Sequence, residues 1–176
     1  PLPEEMSEAA ALASEAAKAA MEGTEEEDSE TGVEPLGRLP DGRWYLTVST
    51  TRPETMLGDT AVAVNPSDQR YRSLVGGEVE LPLTGRRIPI ISDDYVDRDF
   101  GTGMVKVTPA HDPNDFEMAQ RGGIPLLDVM TPQGAMGENA PEAFRGMDRF
   151  EARKAVIRGF KDQGLYGGED PHTHSV

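Results

Sequence analysis

At 176 residues, with 36% hydrophobic side chains, no cysteine and a formal charge of −15, the chain has room for one well-buried domain. It lacks an apolar run near the roughly 18 residues of a membrane span, a basic-then-apolar leader, any disulfide or thiolate metal site, and the basic stripe of an independent nucleic-acid binder. Those features predict a soluble protein and fit a reducing compartment, with any contacts to RNA local or supplied by other parts of a longer chain; the protein is expected to be cytoplasmic and monomeric. The charge is uneven: residues 1–35 carry eleven Asp and Glu against Lys18 alone. Glu4 to Met21 is Ala-rich with only Met6, Leu12 and Met21 as large apolar residues, and Thr24 to Gly32 is an acidic low-complexity run. Neither stretch can build a core, so residues 1–38 are expected to be a largely disordered arm and residues 39–176 the folded domain.

The body opens with the turn signal Pro40-Asp41-Gly42. Arg43 to Thr51 then reads as a strand with Trp44, Leu46 and Val48 on one face, ended by Pro53. Further strands are expected at 60–65, 78–83, 87–92, 103–108 and 124–130, with a short helix near 68–74. Strands dominate and their connections are too varied for regular strand–helix alternation. The expected class is therefore mainly β with peripheral helices, an α+β fold built as a closed or nearly closed barrel. Near the end, Asp148 and Glu151 form a capping pattern for a helix whose apolar face is Phe150, Val156, Ile157 and Phe160, running to Gly164. His172 and His174 have no adjacent Cys or carboxylate cluster, and no metal site is expected there.

The densest chemistry lies in Gly101-Thr102-Gly103-Met104-Val105-Lys106-Val107-Thr108-Pro109-Ala110-His111-Asp112-Pro113-Asn114-Asp115-Phe116-Glu117. Strand alternation puts Lys106 and Thr108 on one face. Pro109 stops the ladder, and Asp112-Pro113-Asn114-Asp115 has the pattern of a helix start, with Asp112 as N-cap and Gly122 as the end. If strand and helix start converge, Lys106, Thr108, His111, Asp112 and Asp115 surround one polar site. Two readings of the acids stand side by side: carboxylates at the cap and the third helical position stabilise any helix, or they form a site.

A second stretch, Thr50-Thr51-Arg52-Pro53-Glu54-Thr55 followed by Gly58-Asp59-Thr60-Ala61-Val62-Ala63-Val64-Asn65-Pro66, combines with the first into a pattern that closely resembles the editing domain of valyl-tRNA synthetase, a class I synthetase. The resemblance covers about residues 40–176. Leucyl editing domains look similar around T-T-R-P and P-A-H-D but usually lack the pair standing here as Lys106 and Thr108. Isoleucyl domains carry a Trp-containing motif in place of Arg52-Pro53-Glu54. The resemblance also implies that Pro1-Leu2 ends a family strand whose start is missing, that the acidic arm is an insertion, and that 172–176 resembles the run just before the return to a catalytic domain, so the chain is expected to be an excised piece.

What the resemblance implies chemically is hydrolytic proofreading: deacylation of threonyl-tRNA(Val) by water attack on the aminoacyl ester. Lys106, Thr108 and Asp112 are then the catalytic candidates, with Asp112 also meeting the α-ammonium and Lys106 favouring negative charge on the carbonyl oxygen. Asp115 is the acceptor for the threonine hydroxyl, with Thr50, Thr51, Thr55 and His111 as further substrate-binding residues. Arg52 and Phe100 are placed near the tRNA 3′ end. The partners are that tRNA end and the rest of the synthetase chain. No cofactor and no metal are expected in this domain. Two rival classes remain from the residues themselves. One is a metal-dependent phosphohydrolase using His111 and Asp112 with Asp93, Asp94 and Asp115; the other is a non-catalytic structural fragment.

Overall fold

The computed structural model describes residues 34–169, so the acidic arm up to residue 33 and the histidines of the tail, His172 and His174, lie outside the described residues. The first strand, β1 (Leu36–Arg38), pairs antiparallel with β2 (Trp44–Leu46) in the register Leu36↔Leu46, Gly37↔Tyr45 and Arg38↔Trp44. Paired structure thus begins inside the segment that composition assigned to the arm. The ribbon is local: Pro40-Asp41-Gly42 turns the chain, with Gly42 at φ +92 donating to the Leu39 carbonyl. Gly37 is required because the ring of Tyr45 occupies the space a Cβ would need. Of the strand expected over 43–51, only Trp44–Leu46 pairs.

Two compact units follow from the chain's contacts. The sheet unit comprises residues 34–49, Ala61–Val79 and Arg87–Val107. Its centre is β3 (Ala61–Val64), an Ala-Val-Ala-Val run with all four residues buried. It pairs parallel with β5 (Arg86–Ser92) through Val62↔Ile90 and antiparallel with β6 (Met104–Val107) through Ala61↔Val107 and Val64↔Met104. With β4 (Glu78–Leu81) the order is β4-β5-β3-β6. A strand buried on both faces is read as a continuous apolar run rather than an alternating one, as β3 is.

No closed barrel is found among the described residues: the four strands pair in a single row, with β4 and β6 at its ends. The fold is mixed α+β, mainly sheet with a few helices. The helix expected near 68–74 shrinks to a single 3-10 turn, Arg72–Leu74. Its acid is occupied elsewhere: Asp68, buried, accepts from the Arg70 backbone N–H at 3.0 Å and guanidinium at 2.8 and 3.0 Å, a local pairing that competes with helix formation. Nearby, the buried Tyr71 hydroxyl donates to the Thr102 carbonyl at 2.6 Å, and burial pushes that phenol up to about 12.

The second unit comprises Thr50–Thr60, Glu80–Arg86 and residues 108–169. It contains α1 (Pro113–Gly122), closed by Gly123 in the left-handed conformation at φ 65, and α2 (Arg149–Asp162), capped by Asp148 accepting from the Phe150 N–H at 2.8 Å. Its core is Leu57, Val129, Met136, Ala140, Phe144, Ala152 and Val156. Leu83, at φ 68, packs against the bare Cα of Gly159 on α2. The strand expected at 124–130 does not form; among the described residues that stretch makes one bridge, Met130↔Met136. Pro125 cannot donate to a ladder, and side chains take two of the backbone groups: the Val129 N–H goes to His111 and the Asp128 carbonyl to Asn139.

Candidate functional site

Where the sequence was expected only to end a strand at Pro53, the segment Thr50–Thr60 turns through a 3-10 helix at Pro53–Gly58. Pro53 at its start fixes φ where a backbone donor is not needed. The Thr55 hydroxyl folds back to the Arg52 carbonyl at 2.9 Å, and the Thr50 hydroxyl accepts the Arg52 N–H at 3.1 Å. Thr50 and Thr55 thus brace Arg52 from both sides, while Thr51 is exposed.

The turn is anchored by a carboxylate that sequence reasoning passed over. Glu54 is 2% exposed and receives a two-pronged pair from Arg153 of α2 at 2.7 and 2.8 Å. That bond raises the Arg153 guanidinium above its ordinary value. At the far end of the turn Arg86 donates to the Leu57 and Asp59 carbonyls at 2.7 and 2.8 Å. Burial pulls the Arg86 guanidinium down, opposed by the charge of Asp59. Gly58 sits against the 127–129 segment, where a Cβ would come within 2.9 Å of the Leu127 carbonyl oxygen and 3.1 Å of a Val129 methyl.

Against this turn lies the start of α1. Asp112 caps it: Oδ1 accepts the Asn114 N–H at 2.9 Å and the Asp115 N–H at 3.3 Å, while Oδ2 lies 3.4 Å from Arg52. Capping and a charge contact therefore share one carboxylate. The Asp115 side chain reaches the end of the strand: its Oδ2 accepts the Thr108 N–H at 2.8 Å. The Thr108 hydroxyl donates to Asp59 Oδ1 at 2.5 Å, and both residues are 1% exposed. His111 Nε2 accepts the Val129 N–H at 3.2 Å and lies 3.6 Å from Asp128, which puts the proton of the neutral ring on Nδ1.

Thr50, Arg52, Thr55, Thr108, His111, Asp112 and Asp115 thus belong to one unit, and Thr108, Asp112, Asp115 and Arg52 are tied into one polar chain. Lys106 and Phe100 belong to the sheet unit. Lys106 stands opposite Val62 on β6 and is half-buried; Phe100 lies in a turn and is 65% exposed. Two open grooves flank His111. One, of about 640 Å³, is lined by Asp112, Phe116, Glu117 and Gln120; the other, of about 610 Å³, by Asp128, Thr131, Arg149 and Phe150. Arg149 stacks on the exposed Phe150 ring at 4.8 Å. Among the described residues no group of three or more His, Asp and Glu is arranged to hold a metal ion. No helix among them is long and apolar enough to cross a membrane.

The family model described as "Leucyl-tRNA synthetase, editing domain" matches residues 72–151. Curated relatives add the amino acid: the valine–tRNA ligase of Prochlorococcus marinus (strain MIT 9313) is 59% identical over 140 residues, 80% of this chain and 15% of that protein. The chain belongs to the synthetase editing domains. The valine–tRNA ligases of Stenotrophomonas maltophilia (strain K279a), 53% identical over 155 residues or 88% of this chain, and of Geobacillus stearothermophilus, 55% over 138 residues, give the same picture. The editing domain spans only about a sixth of the length of these relatives, 16% in both cases. A solved structure described as "The crystal structure of GlLeuRS-CP1" shares its fold at a TM-score of 0.52 and 16% identity, covering 69% of this chain and 82% of that one.

Proposed function

We propose that this editing domain proofreads for a valyl-tRNA synthetase, hydrolysing the ester of threonyl-tRNA(Val) by attack of a positioned water. Threonine and valine are nearly isosteric, so an apolar synthetic site separates them poorly and a second, hydrolytic site is needed that prefers the hydroxyl. A fixed acceptor gives that preference: threonine bonds to it, whereas bound valine shields it from water and leaves it unpaired. The observation that carries the reading is the disposition of the two acids of α1. Asp112, which lines one of the grooves, and the half-buried Asp115 are each held by main-chain N–H groups, with Arg52 beside Asp112. In this reading Asp115 accepts the substrate hydroxyl, Asp112 meets the α-ammonium, and Arg52 engages the RNA 3′ end through its half-exposed guanidinium. The roles that the resemblance gives Lys106 and Phe100 form part of the proposal. Lys106→Ala should lower hydrolysis while circular dichroism of the same sample is unchanged.

The decisive experiment uses the full-length synthetase carrying Asp115→Ala, with deacylation of threonyl- and valyl-tRNA(Val) measured beside thermal unfolding. The Thr-to-Val hydrolysis ratio should fall by a factor corresponding to about 1 to 3 kcal/mol. A ratio that stays at its wild-type value, with stability alone reduced, would reduce Asp115 to a structural tie between α1 and Thr108.

A further inference from the structure

Asp59 has no role in the reading so far, yet it stands at the head of the polar chain that ends in Asp115. It follows the 3-10 turn directly, its N–H donates to the Met56 carbonyl at 3.0 Å, and its own carbonyl is held by Arg86, so its main chain is fixed from two directions. Its Oδ1 takes the Thr108 hydroxyl at 2.5 Å, and the Thr108 N–H takes Asp115 Oδ2 at 2.8 Å. A threonine hydroxyl has a single proton. That of Thr108 is committed to Asp59, and the side chain is buried, so Thr108 serves as a link between two carboxylates rather than as a donor to substrate.

We propose that Asp59 is a positioning residue for proofreading: it holds Thr108, whose N–H sets the angle at which the Asp115 carboxylate meets the substrate hydroxyl. The inference rests on the role proposed above for Asp115. A hydrogen bond weakens steeply as its angle departs from linearity. Freedom gained by Asp115 is therefore lost preference for threonine over valine, while the attacking water and the ester are untouched. A buried polar pair with no part in selectivity would behave differently, costing stability alone.

Four variants of the full-length synthetase separate the cases: Asp59→Ala, Asp59→Asn, Thr108→Val and Thr108→Ser. Each is assayed for deacylation of threonyl- and valyl-tRNA(Val) below its own unfolding temperature, with Asp115→Ala measured alongside. Asp59→Ala and Thr108→Val should lower the Thr-to-Val ratio about 5- to 20-fold, inside the roughly 2- to 150-fold span of couplings between contacting residues. Asp59→Asn, whose amide oxygen still accepts, and Thr108→Ser, which still donates, should each recover most of that loss. Adding Asp59→Ala to Asp115→Ala should lower the ratio no further. If Asp115→Ala lowers the ratio while Asp59→Ala and Thr108→Val leave it unchanged, the positioning role of Asp59 is overturned. If none of the three changes it, the failure lies in the role of Asp115 itself. Should Asp59→Ala fail to fold, the contrast between Thr108→Val and Thr108→Ser decides alone, and equal ratios in those two overturn the proposal.

Discussion

The sheet unit and the unit that carries Asp112 and Asp115 satisfy their buried carboxylates in opposite ways. In the sheet unit the buried carboxylate of Asp68 finds its cation two residues along the chain, while the Tyr71 and Thr102 hydroxyls reach main-chain carbonyls 31 and 55 residues away. In the other, Glu54 and Asp59 are satisfied by side chains 99 and 49 residues away. A carboxylate paired with a neighbour in sequence keeps that partner through most rearrangements. One paired across the fold has it only when the fold is complete. Stability and site geometry are thus the same property in the second unit and separable in the first.

Three substitutions test that contrast, in falling order of effect. Arg153→Met strands Glu54 as a buried charge and should cost about 3 kcal/mol in denaturant unfolding, much of it recovered when Glu54→Gln is added. A loss below about 1 kcal/mol would show that the distant pairing is not what holds this unit. Tyr71→Phe should cost about 1 kcal/mol for the lost hydrogen bond. Because burial raises the folded-state value of this phenol from 10 to about 12, its contribution is fully present below pH 10 and is lost as pH rises toward 12. The stability gap between wild type and Tyr71→Phe should therefore narrow over pH 10 to 12, and a gap that stays constant would deny the burial effect. Thr60→Val is the smallest: the Thr60 hydroxyl is buried with no partner among the described residues. The swap should change stability by no more than about 0.5 kcal/mol, and toward greater stability. A clear loss would reveal a pairing for that hydroxyl.

The same contrast sets what the sequence made legible. β3, β5 and β6 were readable because their apolar runs are local, and α1 because Asp112, Pro113 and Asp115 mark a helix start within four residues. The stretch 124–130 misled, since its apolar residues suit a strand while Pro125 and the bonds from His111 and Asn139 consume backbone groups a ladder needs. Glu54 and Asp59 were invisible as buried groups: nothing within reach in sequence marks a Glu or Asp as internal, Arg153 carried no reading of its own, and Thr108 was read as a catalytic candidate on the strand. The motif around Thr50–Thr55 was recognisable, but the 3-10 turn that gives it shape was not, because its support comes from residues far along the chain.

Gly58 carries a consequence for His111. The 127–129 segment lies close enough to that residue that a methyl group there would sit 2.9 Å from the Leu127 oxygen and 3.1 Å from Val129. Even alanine would displace the segment. Val129 is also the residue whose N–H supplies the Nε2 bond of His111, so the imidazole is aimed by a hydrogen bond whose donor stands where it does because position 58 has no side chain. The orientation of a ring between two grooves is in this sense encoded as an empty volume fifty-three positions earlier in the chain, a kind of information that no inventory of functional groups along the sequence contains.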